Sequence, residues 1–264
     1  MDSAGDGVAD DGLDTHLDPG TRVATVEIQR GPNNFFDLDV LIRLADTLDD
    51  LAKQDARAVV LCSEGKNFCA GANLGDGAER GLRQSRTPHL YDVAQRLFEQ
   101  PLPVVAAVQG AAVGGGLGLA LAADFRVASP ESRFTANFVK LGFHQGFGLT
   151  VTLPRAVGQQ AALDLLYTGR RIDGTAAHRI GLCDHLVPAA EIRPRAQALA
   201  AEIAEAAPLA VRSVRETMRA DLVREVREAM ARERKEQDRL RRTEDFREGV
   251  KAVRDRRPAQ FSGR

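Results

Sequence analysis

The chain of 264 residues is 44% hydrophobic and has 36 basic and 37 acidic side chains, for a formal net charge of −1. This composition can bury a sizeable core, and it supplies no bulk field that would attract nucleic acid or an anionic membrane surface. No apolar run approaches the length of a membrane span or of a signal-peptide core. A globular cytoplasmic protein is therefore predicted.

The N-terminal residues differ in composition from the rest of the chain. Met1 to Gly20 contains six aspartates and no Lys or Arg, so it offers little apolar surface for burial. We predict a disordered acidic tail at 1–20, an ordered core at 21–205 and a C-terminal helical region at 206–264.

The first predicted elements are a strand and an amphipathic helix. From Val23 to Gln29, the apolar residues Ala24, Val26 and Ile28 alternate with a second set of side chains. This period of two predicts a strand that ends in a turn at 31–34. From Asp37, apolar residues recur at helical spacing as far as Leu51, which predicts a helix with Asp37 as its N-cap.

A strand, a turn of small residues and a helix are predicted twice. Ala58 to Cys62 is an apolar strand, and Phe68 to Ala72 leads from it into a helix. Val104 to Val108 is a second strand, followed by a glycine-rich turn at 110–116 and a buried helix. The free N–H groups at the start of that second helix favour a negatively charged oxygen.

The glycine-rich turn has two other interpretations. A dinucleotide site needs G-x-G-x-x-G, but Gly114, Gly116 and Gly118 are spaced two apart, and Leu121 stands where the third glycine would fall. Alternatively, the glycines only allow a helix to pack closely on a sheet.

Together the two stretches resemble the enoyl-CoA hydratase/isomerase (crotonase) family. FCAGANL at 68–74 is similar to that family's F-C-A-G-A-D-L, and PVVAAVQGAAVGGG at 103–116 to its P-V-I-A-A-V-N-G-x-x-x-G-G-G. The resemblance implies an α/β spiral of repeated β-β-α units with C-terminal helices that form a trimer or a dimer of trimers. It also implies an acyl-CoA substrate, with coenzyme A as part of the substrate and no permanently bound cofactor.

The resemblance assigns an oxyanion hole to the backbone N–H groups of Ala72 and Gly115, and Ala70 and Gly114 are neighbouring candidates for substrate binding. Two preorganised donors of this kind stabilise the charge on a thioester oxygen as its α-carbon becomes enolate-like.

The catalytic carboxylates of the family are missing. Hydratases of the family use two glutamates as acid and base, and the matching positions here are Gly118 and Phe138. Some relatives use an aspartate further along the chain, where this sequence has Gly146.

The segment around Gly146 supplies other candidates. His144 is the proposed proton carrier, while Asn137 and Gln145 could orient a carbonyl or a water, and Phe138 is expected in an apolar lining. Alternatively, His144 only bonds the backbone of its own loop.

Polar residues also begin the helix that precedes the second strand. His89, Tyr91, Asp92 and Gln95 could face the ligand or form a solvated surface of that helix.

The C-terminal part is predicted to be helical, ending in one long helix from Pro208 to Phe246. Arginines there alternate with Glu and Asp at helical spacing, which indicates a salt-bridged exposed face rather than a nucleic-acid site.

Three cysteines, Cys62, Cys69 and Cys183, lack metal-binding spacing and are predicted to be buried and reduced, so no metal site is expected.

Three functions remain open. The first is an enzyme of the enoyl-CoA hydratase/isomerase type, whose hydration of a simple enoyl-CoA is slow or lost. The second is a catalytically silent acyl-CoA binding protein. The third is another reaction on the same fold, such as hydrolysis, decarboxylation or C–C cleavage.

Overall fold

The computed structural model describes residues 12–72 and 88–264. Nine strands are present in these ranges: β1 Leu13–Leu17, β2 Val23–Ile28, β3 Ala58–Ser63, β4 Val104–Val108, β5 Ala111–Val113, β6 Phe125–Ala128, β7 Arg133–Thr135, β8 Arg171–Asp173 and β9 His185–Leu186.

The same ranges contain nine α-helices and two short 3₁₀ helices. The α-helices are α1 Leu38–Lys53, α2 Leu90–Glu99, α3 Gly115–Ala122, α4 Leu149–Val157, α5 Gln159–Thr168, α6 Gly174–Arg179, α7 Ile192–Glu205, α8 Pro208–Leu240 and α9 Glu244–Arg254. The 3₁₀ helices are Asn137–Leu141 and Ala189–Glu191. The helix predicted after Ala72 falls outside the described residues.

Six strands form one sheet in the order β1-β2-β3-β4-β6-β9, parallel except for β1. Strands β5, β7 and β8 form a second, smaller sheet. The prediction of an uninterrupted turn at 110–116 is wrong, because Ala111–Val113 pairs in parallel with Arg133–Thr135.

Ordered structure also begins earlier than predicted, so the disordered tail is wrong for residues 13–20. Strand β1 pairs antiparallel with β2, from Leu13 opposite Ile28 to Leu17 opposite Ala24. The Asp18 carboxylate then accepts hydrogen bonds from the N–H groups of Gly20 and Thr21. The segment is ordered by the backbone hydrogen bonds between β1 and β2 and by the turn at Asp18, although its composition offers little apolar surface. Residues 1–11 are not among those described.

The large sheet is covered on both faces. Alternate residues of its strands, including Val60, Cys62 and Val105, pack against Ala196 and Ala200 of α7. The intervening residues join the main core with α1, α2 and α3. Burial on both faces explains why β3 is buried along its whole length.

Helix α8 is fixed to the core by an ion cluster. The Asp124 carboxylate accepts from Arg215 Nε at 2.9 Å and from Arg219 Nη1 at 2.8 Å. The predicted single helix to Phe246 is interrupted after Leu240, because Thr243 Oγ1 accepts from Phe246 N and so caps a new helix, α9.

All three cysteines are buried and free, as predicted. Burial raises the pKa of the Cys69 thiol to about 12 and those of Cys62 and Cys183 to about 11. Such thiols remain protonated near neutral pH and are poor nucleophiles.

Candidate active site

A largely apolar cavity of about 510 Å³ lies between the turns at 70–72 and 113–115, the start of α2 and the end of α8. Aromatic rings of Phe36, Phe138, Phe143 and Phe147 form much of its wall. Of the predicted site residues, the cavity brings together Ala70, Ala72, Gly114, Gly115, Asn137 and Phe138. His144 and Gln145 are not among its described lining residues.

Two backbone turns meet at one side of this cavity. Phe36 N donates to Gly71 O at 3.0 Å, which fixes the turn before Ala72. Gly114 N donates to Thr135 O at 2.8 Å, which fixes the turn before α3. A Cβ added to Gly71 would lie 3.6 Å from Gly115 N, so the turns are in close contact.

The N–H groups of Ala72 and Gly115 donate no hydrogen bond to any other residue in the described ranges. Gly115 is the first residue of α3, and an N–H at that position has no partner within its helix. Both residues line the cavity. This geometry provides two backbone donors beside an apolar space.

The glycines at 114–116 allow close packing of neighbouring groups, in addition to supplying a backbone N–H donor. A Cβ on Gly116 would lie 2.1 Å from Cys69 O, and one on Gly115 would lie 2.5 Å from Phe36 Cζ. Gly114 adopts φ +55°, a left-handed conformation that favours glycine. Close packing therefore explains Gly116, while Gly114 and Gly115 shape the cavity wall.

The positions where the resemblance implies carboxylates are occupied by glycine and phenylalanine, which are closely packed. A Cβ on Gly118 would lie 2.6 Å from Phe147 Cβ, and one on Gly146 would lie 1.8 Å from Tyr91 Oη. The Phe138 side chain lines the cavity. The described lining contains no Asp or Glu.

Tyr91 is the polar group that occupies the space beside Gly146. Its hydroxyl donates to Gln237 Oε1 at 3.0 Å, and Gln237 Nε2 donates to His144 O at 2.9 Å. Burial, followed by the charge of Glu233, raises the pKa of Tyr91 far above its usual range, so its hydroxyl stays protonated. A solvated surface is thus the wrong interpretation for Tyr91.

His89 also lines the cavity and caps α2. Its Nδ1 accepts from Tyr91 N at 3.1 Å, and Asp92 Oδ2 accepts from His89 N at 2.9 Å. Burial and then the charge of Arg234 lower the pKa of His89. The ring is therefore neutral near pH 7, and the proton lies on Nε2.

The side chains of His144 and Gln145 bond within their own loop. His144 Nδ1 lies 2.8 Å from Gln145 O and donates to it, and Gln145 Nε2 donates to Thr150 Oγ1 at 3.2 Å. This is the loop contact that the sequence offered as the alternative to proton transfer by His144.

A buried carboxylate on α8 holds the same loop. Glu233 Oε2 accepts from Gly148 N at 2.9 Å, and Oε1 accepts from Thr150 N at 3.0 Å and from Thr150 Oγ1 at 2.6 Å. Gly148 directly precedes α4, so Glu233 supplies from another helix the capping that α4 lacks locally. The sequence pattern did not predict this contact, because 85 residues separate Glu233 from Gly148.

Glu233→Gln is expected to lower the free energy of unfolding by about 1–3 kcal/mol, because the amide NH₂ cannot accept from Gly148 N. Burial raises the pKa of Glu233 in the folded chain. Its neutral form thus contributes stability below the unfolded pKa of about 4.3, and this is lost as pH rises through the raised folded value. Denaturant unfolding from pH 4 to 8 checks both points.

In that experiment the difference between wild type and Glu233→Gln should shrink as pH rises. Glu228→Gln is the control, because Glu228 lies on the same helix and is 69% exposed. A difference that stays constant with pH would contradict the raised pKa.

A second depression of about 470 Å³ adjoins the cavity at Phe35, which lines both. Its walls include Arg30, Arg43 and Glu64. Arg30 Nη1 donates to Asp37 Oδ2 at 2.6 Å.

No group of three or more His, Cys, Asp or Glu suited to a metal ion occurs in residues 12–72 and 88–264. Among the helices of those ranges, none is long and apolar enough to cross a membrane.

Comparison with known proteins identifies the family. A model of the enoyl-CoA hydratase/isomerase family matches residues 19–264. A Rhodobacter capsulatus protein named "Probable enoyl-CoA hydratase" is 37% identical over 219 residues, covering 81% of this chain and 84% of that protein. An enoyl-CoA isomerase/hydratase of Mycosarcoma maydis is 34% identical over 220 residues, covering 80% of each chain.

The crystal structure of an enoyl-CoA hydratase/isomerase from Pseudoalteromonas atlantica T6c superposes with a TM-score of 0.86 at 30% identity, covering 95% of this chain and 100% of that one. It confirms the predicted crotonase fold. The sequence matches and this structural likeness lead to one conclusion: the chain belongs to the enoyl-CoA hydratase/isomerase family.

Proposed function

We propose that this protein processes an acyl-CoA thioester and stabilises a thioester enolate between the backbone N–H groups of Ala72 and Gly115. The observation that carries the proposal is that these two donors line an apolar cavity and have no partner in the described ranges. The Gly115 donor also lies at the positive end of α3. In an apolar site, fixed donors stabilise developing charge far more than water does.

We further propose that Tyr91 delivers a proton to the α-carbon of an enolate formed by cleavage of a bond to that carbon, as in a decarboxylation, where the electron pair of the broken C–C bond forms the enolate and CO₂ leaves. Tyr91 is among the described lining residues of the cavity, whereas His144 is not. A tyrosine with a raised pKa is a poor base but holds a proton at neutral pH, and a thioester enolate is far more basic than a phenolate. Gln237 Oε1 accepts from the hydroxyl and fixes its position. Water would then return the proton to Tyr91.

The absence of Asp and Glu from the described lining of the cavity also favours a second candidate function. A protein with the same cavity but no group that activates water would bind acyl-CoA without turning it over. Gly118 cannot regain a glutamate without displacement of Phe147. A silent acyl-CoA binding protein is therefore the alternative that the packing supports.

The deciding experiment combines calorimetric binding of butyryl-CoA with an absorbance assay of water addition to crotonyl-CoA, followed by a screen of other acyl-CoA esters. We expect binding, little or no hydration, and turnover of another ester. Binding without turnover of any ester would favour the silent binder. Absence of binding to any CoA ester would contradict both candidates.

Assembly as a homotrimer or a dimer of trimers is part of this proposal. Several apolar side chains on α8 are exposed, including Leu209 at 80% and Met218 at 74%. Exposed apolar surface of this kind is typical of protein interfaces. Sedimentation measurements would give the number of subunits.

A further inference from the structure

Arg241 places a positive charge in the wall of the cavity. It follows the last residue of α8, and it is the one ionised side chain among the described lining residues, since His89 is neutral there. A largely apolar cavity whose described lining carries one positive charge is complementary to a ligand that carries one negative charge.

The guanidinium has few partners. Its Nη2 donates to Gln237 Oε1 at 3.2 Å, and its Nη1 lies 3.5 Å from Oδ1 of Asp238, a carboxylate that is 52% exposed. Its Nε is buried without a hydrogen-bond partner in the described ranges. By contrast, Arg239 on the same helix donates twice to Glu236, at 3.0 and 2.8 Å.

Burial makes this arrangement unfavourable in the absence of a ligand. Desolvation lowers the pKa of Arg241, although the charge of Asp238 opposes the effect. The Arg241 side chain is 21% exposed, and a partly buried cation with incomplete hydrogen bonding is stabilised when a carboxylate accepts from its remaining donors. His89 provides a second donor on the same wall through its Nε2–H.

The contacts of Arg241 place it on the acyl side of the cavity. Arg241 contacts Gln237, and Gln237 contacts Tyr91, whose hydroxyl lies against Gly146. Phe147, the next residue, packs against Gly115 and Gly118. The arginines of the second depression, in contrast, lie beyond Phe35.

We propose that Arg241 and His89 bind a carboxylate at the end of the acyl group, so that the preferred ligand is the CoA monothioester of a dicarboxylic acid. The inference rests on the proposed function, because it assumes that the cavity holds the acyl group. The phosphates of coenzyme A are also anions that an arginine can bind. The experiment therefore distinguishes binding of a carboxylate on the acyl group from binding of these phosphates.

The test is calorimetric titration of the whole chain with glutaryl-CoA, with pentanoyl-CoA of the same carbon number, and with free CoA. Wild type should bind glutaryl-CoA at least about tenfold more tightly than pentanoyl-CoA, equivalent to about 1.4 kcal/mol. Arg241→Gln should remove that preference and leave pentanoyl-CoA and free CoA unchanged. Arg241→Lys should retain part of it, because lysine keeps the charge but loses the planar fork.

Arg224→Gln is the matched control, since Arg224 is an exposed arginine of the same helix. Unchanged binding of pentanoyl-CoA shows that each variant is folded. Equal affinity of wild type for glutaryl-CoA and pentanoyl-CoA would overturn the proposal. An equal loss of affinity for all three ligands in Arg241→Gln would also overturn it, because this result would indicate that Arg241 contacts a phosphate of coenzyme A. If wild type binds none of the three ligands, the proposed function itself fails.

Discussion

Gly115→Pro is expected to lower turnover of the thioester substrate by about 10²–10³-fold, because it deletes one of the two N–H groups that hold the developing oxyanion. Gly115 is the first residue of α3, where proline is well tolerated by a helix. The helix should therefore persist while the donor is lost. Steady-state kinetics on the best ester from the substrate screen would measure the loss.

Gly115→Ala is the matched control for this change. A Cβ there would approach Phe36 Cζ to 2.5 Å, so alanine introduces the steric part of the change and keeps the N–H. We expect alanine to retain much more activity than proline. Equal losses in the two variants would mean that crowding against Phe36, and not the donor, limits the reaction.

Tyr91→Phe is expected to lower turnover by about 10²-fold or more, the usual effect of removing a group that transfers a proton in the transition state. The ring remains, so acyl-CoA binding should change little. Loss of the bond from Tyr91 Oη leaves Gln237 Oε1 with the longer bond from Arg241 Nη2 as its remaining contact in the described ranges, which should cost about 0.5–1.5 kcal/mol of stability. Kinetics, CoA-ester binding and unfolding should be measured together.

Two comparisons separate proton transfer from a structural role of Tyr91. Gln237→Leu removes the hydrogen-bond partner of Tyr91 and keeps the Tyr91 hydroxyl. It should therefore lower the free energy of unfolding but reduce turnover less than Tyr91→Phe does. His144→Gln should lower turnover less than Tyr91→Phe, because the His144 ring bonds its own loop. If the histidine variant shows the larger loss, the proton passes through His144 instead.

Gly118 and Gly146, two positions where the family resemblance implies carboxylates, are both in close contact with other side chains. Phe147 packs against Gly118 and its neighbour Gly146 faces Tyr91, so one connected set of side chains fills the space beside both glycines. Phe147 itself has φ +60°, an unusual conformation for a non-glycine residue. Glu233 binds the next residue, Gly148, and so supports this arrangement from α8.

The sequence by itself determined the elements that depend on local pattern. The apolar runs at Ala58 and Val104 gave parallel strands, and Asp37 caps α1 as predicted. The resemblance of the two small-residue turns to one family identified the fold. Ala72 and Gly115, which that resemblance assigns to an oxyanion hole, both line the cavity. Such features follow from backbone hydrogen bonding and side-chain periodicity within a few residues.

Only the tertiary structure decided which side chains share that cavity. The Tyr91–Gln237 bond joins residues 146 positions apart, and the three bonds of Glu233 reach across more than 80. Likewise, β1 is ordered by its ladder with β2, which composition alone does not reveal. Contacts of this kind depend on how distant elements pack, since the same polar residue is solvated on one face of a helix and buried on another.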